Sequence, residues 1–202
     1  MCISLWRAPI EMFRELLAAD FDPYGALSQA QLDQLANHYT ALTRWNERLN
    51  LTRIRDMSDS VRFHYCESLF LARFLPPGPQ RIVDIGSGGG FPGIPVAIFR
   101  PDCEISLVES HQRKAVFLRE AARELRNVKV ITKRAEDVQE RFDWLVSRAV
   151  APIDILRLEI SNNIALLIGE EDAAKLGGES TPIPWGNQRV LFHVERRSSA
   201  NP

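Results

Sequence analysis

The stretch RIVDIGSGGGFPG, residues 81–93, decides the fold of this chain. An apolar run at 81–85 leads directly into four glycines within the five positions 86–90, and a helical pattern follows over 93–99. A strand, a glycine turn and a helix in this order are typical of the first βα unit of an open α/β sheet. Ligands bind such sheets at the carboxyl ends of the strands, where a helix N-terminus presents free backbone N–H groups. The stretch therefore predicts a site for a nucleotide-like cofactor.

The residues around the glycines exclude two common kinds of cofactor loop. A phosphate-binding P-loop has Gly-Lys-Ser/Thr before its helix, but Ile94 follows Gly93 here, so a bound triphosphate would lack its lysine. The dinucleotide fingerprint G-x-G-x-x-G would begin at Gly86 and place Phe91 at its third glycine, where a bulky side chain obstructs a pyrophosphate. Both interpretations are disfavoured, and a cofactor that needs no bound phosphate remains.

Residues 84–90 resemble the D-x-G-x-G-x-G motif of class I S-adenosylmethionine-dependent methyltransferases. In that family the glycines let the backbone approach the aminocarboxypropyl arm and the ribose. The next predicted strand ends at Glu109, 23 residues after Gly86, where a carboxylate can accept hydrogen bonds from both ribose hydroxyls. An exposed acid at a strand end is the alternative for Glu109. After the following strand, residues 134–137 (Arg-Ala-Glu-Asp) resemble the segment that contacts the adenine ring in this superfamily.

Beyond the glycine turn, short apolar runs alternate with helical patterns, which indicates βαβ units and a mostly parallel sheet with flanking helices. The predicted strands are 81–85, 104–109, 128–131, 144–147, 164–168 and 190–194. The predicted crossover helices are 93–99, 113–125 and 153–160. Residues 177–187, rich in Gly and Pro, are predicted as a loop between the last two strands, and the tail 196–202 as loose. The fold class is α/β, a class I methyltransferase (Rossmann-like) sheet.

Residues 1–75 are predicted to form an N-terminal helical lobe. Apolar residues recur at helical spacing over 10–19, 29–49 and 58–74, and Ser28 with Gln31 forms a capping box before the second of these helices. The sequence Pro-Pro-Gly-Pro at 76–79 cannot continue a helix and marks a boundary. The predicted domains are therefore the lobe, 1–75, and the S-adenosylmethionine-binding methyltransferase core, 80–197.

The sequence also limits which atom receives the methyl group. Methylation of cytosine C5 needs a cysteine nucleophile, and neither Cys66 nor Cys103 follows a proline as the nucleophile of those enzymes does. The Asp/Asn-Pro-Pro-aromatic motif that serves adenine amino groups is absent at the end of the fourth strand, where the chain reads Ser-Arg-Ala at 147–149.

Four segments together resemble the bacterial small-subunit ribosomal RNA methyltransferase G family, also called glucose-inhibited division protein B. These segments are the W-N-x-x-x-N-L-T box at 45–52, His-Tyr-Cys-Glu-Ser-Leu at 64–69, the glycine stretch at 83–95 with its G-F-P-G-I-P extension, and Ser-Arg-Ala at 147–149. The resemblance covers roughly residues 30–150. It implies that the chain makes 7-methylguanosine in small-subunit ribosomal RNA with S-adenosylmethionine. Guanine N7 has a free lone pair, so no obligatory general base is expected.

The motifs and the resemblance together supply the candidate site. The predicted cofactor-binding residues are Asp84, Gly86, Gly88, Gly90, Phe91, Glu109, Ala135, Glu136 and Arg148. Arg148 is also the candidate catalytic residue, predicted to position substrate and cofactor at the sheet's carboxyl edge. Its alternative role is a salt bridge to Asp84 or Glu136. No metal is expected.

Four polar residues of the helical lobe have both a functional and a structural interpretation. Asn46, Asn50 and Thr52 could be helix-cap and turn residues that tie the lobe to the sheet. His64 is predicted to be a hydrogen-bonded structural residue and not catalytic.

Composition excludes disordered, collagen-like and disulfide-scaffold classes, since 45% of the 202 residues are hydrophobic and only three are cysteines. The odd cysteine count favours a reducing compartment, and no run is long and apolar enough for a signal peptide or a membrane span. The chain is therefore predicted to be cytoplasmic, with no membrane partner, and to be a monomer.

Charge excludes a uniformly basic nucleic-acid binder, because 25 Lys and Arg balance 26 Asp and Glu. Residues 112–134 nevertheless carry eight basic and two acidic residues, so one basic flank could hold RNA; a solvated helix face is the alternative. The predicted partner is small-subunit ribosomal RNA or an assembly intermediate of the subunit.

Two further functions stay open, because the chain departs from the family pattern after Pro152. The helical pattern there is short, and the acidic segment 169–172 stands where the family has Lys-Gly. The alternatives are methylation of a small molecule or a protein, and a cofactor-binding protein whose activity has decayed.

Overall fold

A computed structural model describes the chain from residue 7 to residue 195. Within this range the α-helices are α1 (Arg7–Phe21), α2 (Gln29–Leu49), α3 (Met57–Ser60), α4 (Glu67–Phe74), α5 (Gly93–Phe99), α6 (Gln112–Ala121), α7 (Pro152–Leu156) and α8 (Glu170–Ala174). The strands are β1 (Arg81–Ile85), β2 (Glu104–Val108), β3 (Val128–Ile131), β4 (Trp144–Arg148), β5 (Asn163–Gly169), β6 (Glu179–Pro182) and β7 (Arg189–Glu195). A π-helical turn, Val61–Cys66, joins α3 to α4.

The strands form one sheet in the order β3-β2-β1-β4-β5-β7-β6. Strands β1 to β5 are parallel, whereas β7 runs antiparallel to β5 and β6 antiparallel to β7. The central strands are buried on both faces, as parallel strands covered by helices must be. The α/β class, the mostly parallel sheet and the helical N-terminal region are confirmed. Because the strand order reverses at β1, the crevice between the carboxyl ends of β1 and β4 is where a ligand is expected.

The helical lobe packs on one face of the sheet and shares its core. One cluster of buried residues contains Phe13 and Leu35 of the lobe together with Ile82 and Leu107 of the sheet. The boundary predicted at 76–79 falls in the segment that connects α4 to β1. Across residues 7–195, no helix has the length and apolar character needed to cross a bilayer.

The capping box predicted at the start of α2 is confirmed. The Ser28 hydroxyl accepts a hydrogen bond from the Gln31 backbone N–H at 3.3 Å, and the Gln31 side chain accepts one from the Ser28 N–H at 2.9 Å. At the other end Asn50 takes a left-handed conformation with φ of 46° and ends the helix at Leu49.

All six predicted strands are present and agree with the structure to within one residue at each end. The loop predicted over 177–187 is wrong in part, because residues 179–182 form β6. This strand is exposed throughout and pairs only with β7, so its sequence, Glu-Ser-Thr-Pro, carries none of the alternation that marks a half-buried strand.

The helix predictions are wrong at several ends. The helix predicted over 113–125 ends at Ala121, because the chain turns there, and the Asn127 side chain beyond it donates hydrogen bonds to the carbonyls of Ala97 and Cys103. The helix predicted over 153–160 ends at Leu156, and α8 was not predicted. The predicted loose tail, 196–202, lies outside the described residues.

Candidate active site

A cleft of about 610 Å³ opens where β1 and β4 end. Five of the predicted site residues line it: Gly86, Gly88, Phe91, Glu109 and Arg148. The other lining residues are Asn50, Leu51, Thr52, Arg53, Ile54, His64, Ser87, Gly89, Lys114 and Ala149. The glycine turn therefore faces the loop that follows α2, and the cleft lies at the predicted crevice of the sheet.

The glycine turn wraps around the end of β2. The N–H groups of Gly86 and Ser87 both donate to the Val108 carbonyl, at 2.9 and 3.1 Å. Gly88 has a φ of +50°, and a Cβ added there would meet nothing closer than the Gly86 oxygen at 3.7 Å. Glycine at 88 thus allows the left-handed backbone of the turn, and it leaves open space beside the backbone.

Gly86 has a packing role in addition to the one expected from the resemblance. Its φ is +74°, and an added Cβ would lie 2.5 Å from Cγ2 of Val150. A side chain at 86 would therefore collide with the segment after β4. The structure requires glycine here for packing between the two strand ends.

Asp84, predicted to bind the cofactor, lies beneath the turn and does not line the cleft. It is fully buried, and its Oδ2 accepts the Gly93 N–H at 3.1 Å. Its Oδ1 is buried without a hydrogen-bond partner, and burial raises the pKa of the carboxyl to about 7. Asp84 therefore supports the turn from within the protein.

Gly90, also predicted to bind the cofactor, is held from behind by His38 and is not part of the cleft lining. A Cβ at Gly90 would lie 2.6 Å from Cδ1 of Ile94 and 3.0 Å from Nε2 of His38. The His38 Nε2–H donates to the Gly89 carbonyl at 3.0 Å, and its Nδ1 accepts the Tyr65 hydroxyl proton at 2.9 Å. Burial lowers the pKa of His38 to about 4, so the ring is neutral.

Sequence reasoning missed His38, although the sequence contains a signal. It stands on the apolar face of α2, three residues after Leu35 and four before Leu42, and all three are buried. A histidine on such a face needs hydrogen-bond partners inside the protein. Here one of those partners is the glycine turn.

Glu109 is held at the end of β2 by backbone N–H groups. Its Oε2 accepts the Gly88 N–H at 3.0 Å and its Oε1 accepts the His111 N–H at 2.7 Å. The residue is buried, so the alternative of an exposed strand-end acid is wrong. Each oxygen keeps a further lone pair for a ligand hydroxyl. The position and chemistry of Glu109 fit the ribose contact predicted from the sequence.

Ala135 and Glu136 lie in a 3-10 turn, Ala135–Asp137, and are not among the residues that line the cleft. Glu136 is exposed, with its Oε1 3.9 Å from Nη1 of Arg134. Their contact with an adenine ring stays a prediction.

Arg148, at the end of β4, is largely buried against the helical lobe. Its Nη1 donates to Nδ1 of His64 at 2.5 Å, and its Nε lies 3.8 Å from Oε2 of Glu67. Burial lowers the pKa of Arg148 to about 10, and the guanidinium remains charged at neutral pH. The salt-bridge alternative named Asp84 or Glu136 as its partner, and both are wrong, because the acid beside it is Glu67.

Glu67 lies at the centre of this charge cluster and has no exposed surface. Arg189 of β7 binds it with both ends of its fork, from Nε to Oε1 at 2.7 Å and from Nη2 to Oε2 at 2.9 Å. Sequence reasoning missed this pair, because the two residues are 122 positions apart and neither belongs to a local motif that names the other.

His64 joins Arg148 to the loop after α2. Because an arginine N–H can only donate, Nδ1 accepts, and the neutral ring carries its proton on Nε2, which donates to Oγ1 of Thr52 at 2.6 Å. The ring also stacks on Phe91, with centroids 4.4 Å apart. Burial, together with the charge of Arg148, lowers the pKa of His64 to about 2. His64 is therefore a hydrogen-bonded neutral residue, as predicted.

Asn46 and Asn50 match their structural interpretation. The Asn46 side chain donates to the Thr52 carbonyl at 3.0 Å and accepts the Thr52 N–H at 2.9 Å, while Asn50 ends α2. Thr52 lines the cleft and also bonds His64, so it has a place in the site.

The cleft wall is predominantly cationic. Arg53, Lys114 and Arg148 line it, against the single carboxylate of Glu109. Arg53 and Lys114 form no ion pair with any residue between 7 and 195. Over the same range, no group of three or more His, Cys, Asp or Glu side chains is arranged to hold a metal ion.

Comparison with known proteins identifies relatives of one kind. Residues 31–172 match the model of a family described as rRNA small subunit methyltransferase G. A protein named ribosomal RNA small subunit methyltransferase G from Roseiflexus sp. (strain RS-1) is 42% identical over 138 residues, which are 64% of this chain and 59% of the relative. The protein of the same name from Chloroflexus aggregans is 40% identical over 177 residues, 83% of this chain and 73% of the relative. The chain spans about three fifths of the length of the first relatives it matches.

Solved structures with little sequence similarity share the fold. A SAM-dependent methyltransferase from Aquifex aeolicus superimposes with a TM-score of 0.56 at 11% identity, covering 72% of this chain and 97% of that one. A ribosomal protein L11 methylase from Lactobacillus delbrueckii superimposes with a TM-score of 0.53 at 14% identity, covering 65% and 79%. The predicted class I methyltransferase fold is confirmed.

Proposed function

Because the chain belongs to the rRNA small subunit methyltransferase G family, we propose that it transfers a methyl group from S-adenosylmethionine to N7 of a guanine in small-subunit (16S) ribosomal RNA. One observation carries the proposal: the cleft at the carboxyl ends of β1 and β4 brings the glycine turn and Glu109 together with Arg148. The first two suit a nucleoside cofactor, and the third suits a guanine.

The described residues fit S-adenosylmethionine. Open space beside Gly88 lets a ligand approach the backbone, and Glu109, fixed by two N–H groups, presents carboxylate oxygens to ribose hydroxyls. Gly86, Gly88, Phe91 and Glu109 would hold it. When bound, the cofactor would supply an electrophilic methyl group on a sulfonium: the new bond to N7 would form as the methyl–sulfur bond breaks, and the electron pair of that bond would stay on sulfur.

Methyl transfer to N7 needs no general base, and the histidine in the cleft is not available as one. The lone pair of guanine N7 is free at neutral pH, so no proton has to leave before the attack. His64, the histidine among the lining residues, has both ring nitrogens engaged and a pKa lowered to about 2 by burial. Catalysis therefore rests on alignment of N7 with the methyl carbon, an effect that can reach about 7–11 kcal/mol. Arg148 contributes by donating to guanine O6.

RNA would reach the cleft across a cationic rim. Lys114 and Arg53 line the cleft, and Lys114 belongs to the basic stretch 112–134. Phosphate binding requires such a local patch and not a basic total. The partner is small-subunit RNA or an assembly intermediate of the subunit, and the enzyme then acts in the cytoplasm.

The test is a methylation assay with labelled S-adenosylmethionine. Deproteinised small-subunit RNA and intact small subunits are offered separately, and the labelled nucleoside is identified after digestion. We expect 7-methylguanosine. Label on another nucleoside, on a protein or on a small molecule, or no transfer to any acceptor, contradicts the proposal.

A matched pair of variants tests the cofactor site by a binding measurement. Glu109→Gln replaces one carboxylate oxygen, an acceptor, by an NH2 group next to the cleft end of β2. Glu104→Gln makes the same change at the exposed far end of that strand. Calorimetry is expected to give about tenfold weaker S-adenosylmethionine binding for the first variant only. Equal affinities for the two variants refute the placement of the site.

A further inference from the structure

The Arg148 guanidinium is engaged at two of its three nitrogens. Nη1 donates to Nδ1 of His64 at 2.5 Å, and Nε faces Oε2 of Glu67 at 3.8 Å. Nη2 makes no hydrogen bond to any residue between 7 and 195. Because the side chain lines the cleft, this nitrogen is the donor left for a ligand.

An unrestrained arginine would be a poor partner for this reaction. Arginine commonly binds guanine with two parallel hydrogen bonds, one to O6 and one to N7. The second of these bonds would occupy the lone pair that has to attack the methyl carbon. Binding would then be strengthened in the ground state and methyl transfer slowed.

We infer that His64 and Glu67 are positioning residues that restrict Arg148 to one hydrogen bond, to guanine O6, and so leave N7 free to react. The inference rests on the proposed function. It assigns these two side chains a role in selecting how guanine is held.

The structure keeps His64 in the one state that can do this. Oγ1 of Thr52 accepts a hydrogen bond from Nε2–H of His64, so the ring proton stays on Nε2 and Nδ1 presents its lone pair to Arg148. Stacking on Phe91 fixes the plane of the ring. A protonated imidazole would have no acceptor and would repel the guanidinium, and burial opposes that state.

Glu67 is held just as firmly on the other side. Arg189 occupies both of its oxygens, at 2.7 and 2.9 Å, so the carboxylate cannot rotate toward the cleft. At 3.8 Å from Oε2 of Glu67, Nε of Arg148 is attracted to the carboxylate but forms no short hydrogen bond with it. Glu67 therefore orients the guanidinium and does not draw it out of the cleft.

Two substitutions of His64 separate its acceptor from its ring. His64→Asn places an amide oxygen near the position of Nδ1, whereas His64→Phe keeps the stacking on Phe91 and removes the acceptor. For His64→Phe we expect kcat to fall about tenfold while KM for RNA stays equal or decreases, and for His64→Asn we expect kcat within about threefold of wild type. S-adenosylmethionine affinity should stay unchanged in both.

A binding measurement tests, without catalysis, whether Arg148 forms a hydrogen bond to guanine N7. RNA transcribed with 7-deazaguanosine has C–H in place of N7 and cannot form the second hydrogen bond. Wild-type protein should bind this RNA and normal RNA equally, whereas His64→Phe should prefer normal RNA about tenfold. If His64→Phe does not fold, Thr52→Val serves instead, because it removes the acceptor that keeps the His64 proton on Nε2. This variant should lower kcat and raise the preference for normal RNA over 7-deazaguanosine RNA.

The outcomes are distinct for the two claims. The nucleoside made by the wild-type protein decides the proposed function. The inference is overturned if the folded variant, His64→Phe or Thr52→Val, has the kcat of the wild type. It is also overturned if that variant, like the wild type, binds normal RNA and 7-deazaguanosine RNA equally.

Discussion

The two walls of the cleft are built in opposite ways. The glycine wall, residues 84–93 with Glu109, holds its two carboxylates through backbone N–H groups that lie at most 21 positions away. The arginine wall joins the side chains of His64, Glu67, Arg148 and Arg189 across as many as 122 positions. The first wall has a recognisable motif because its geometry is local. The second has none and concentrates buried charge, so it should be far less tolerant of single changes.

The largest expected effect is on the arginine wall. Glu67→Gln removes the negative charge between Arg148 and Arg189 and leaves the largely buried Arg148 and the partly buried Arg189 without compensation. We expect a loss of about 3–5 kcal/mol in the free energy of unfolding, measured by urea denaturation. The matched control, Glu140→Gln, breaks an exposed contact to Lys129 and should leave the midpoint nearly unchanged. Equal shifts in the two variants would mean that the cluster adds no more than a surface ion pair.

The next expected effect is on the glycine wall, and unlike the first it depends on pH. Burial raises the pKa of Asp84 from 3.8 to about 7, so the folded protein binds this proton more tightly than the unfolded chain. The contribution of Asp84 to stability is complete below pH 4 and is lost as the pH rises to about 7, at up to about 1.4 kcal/mol per pH unit.

Asp84→Asn removes this dependence and can still accept the Gly93 N–H. The difference in unfolding free energy, variant minus wild type, should therefore grow between pH 4 and 7 and level off above it. Other titrating groups cancel in this difference. A difference that stays constant over this range would show that the carboxyl is ionised in the folded protein throughout.

The smallest effect concerns the cationic rim between the two walls. Lys114→Ala should weaken RNA binding severalfold and reduce the slope of log affinity against log salt by about one, with no change in S-adenosylmethionine affinity. Lys175→Ala, at the residue that follows α8 and pairs with Asp172, is the control and should change neither. If both lysines alter the slope equally, RNA contacts are spread over the surface and not centred on the cleft.

Much of the molecule follows from short-range sequence signals. Strand positions, the glycine turn, the capping box and the acid at the end of β2 were all predictable, because each depends on residues within one turn or one strand. Strand β6 was not, because an exposed edge strand exists only through its partner β7. The same limit applies to the support of Gly89 by His38, which links α2 to the turn 51 residues away.

Alternating apolar runs and a glycine motif were therefore enough to establish an α/β methyltransferase sheet and the edge of the sheet at which the cleft opens. Only the tertiary structure decided which predicted residues face the cleft, with Asp84 and Gly90 behind the turn and Gly86 packed against Val150. It also decided that Arg148 pairs with Glu67 and His64. The physical reason is that backbone geometry is encoded locally, whereas the partner of a buried charge is set by how distant segments pack.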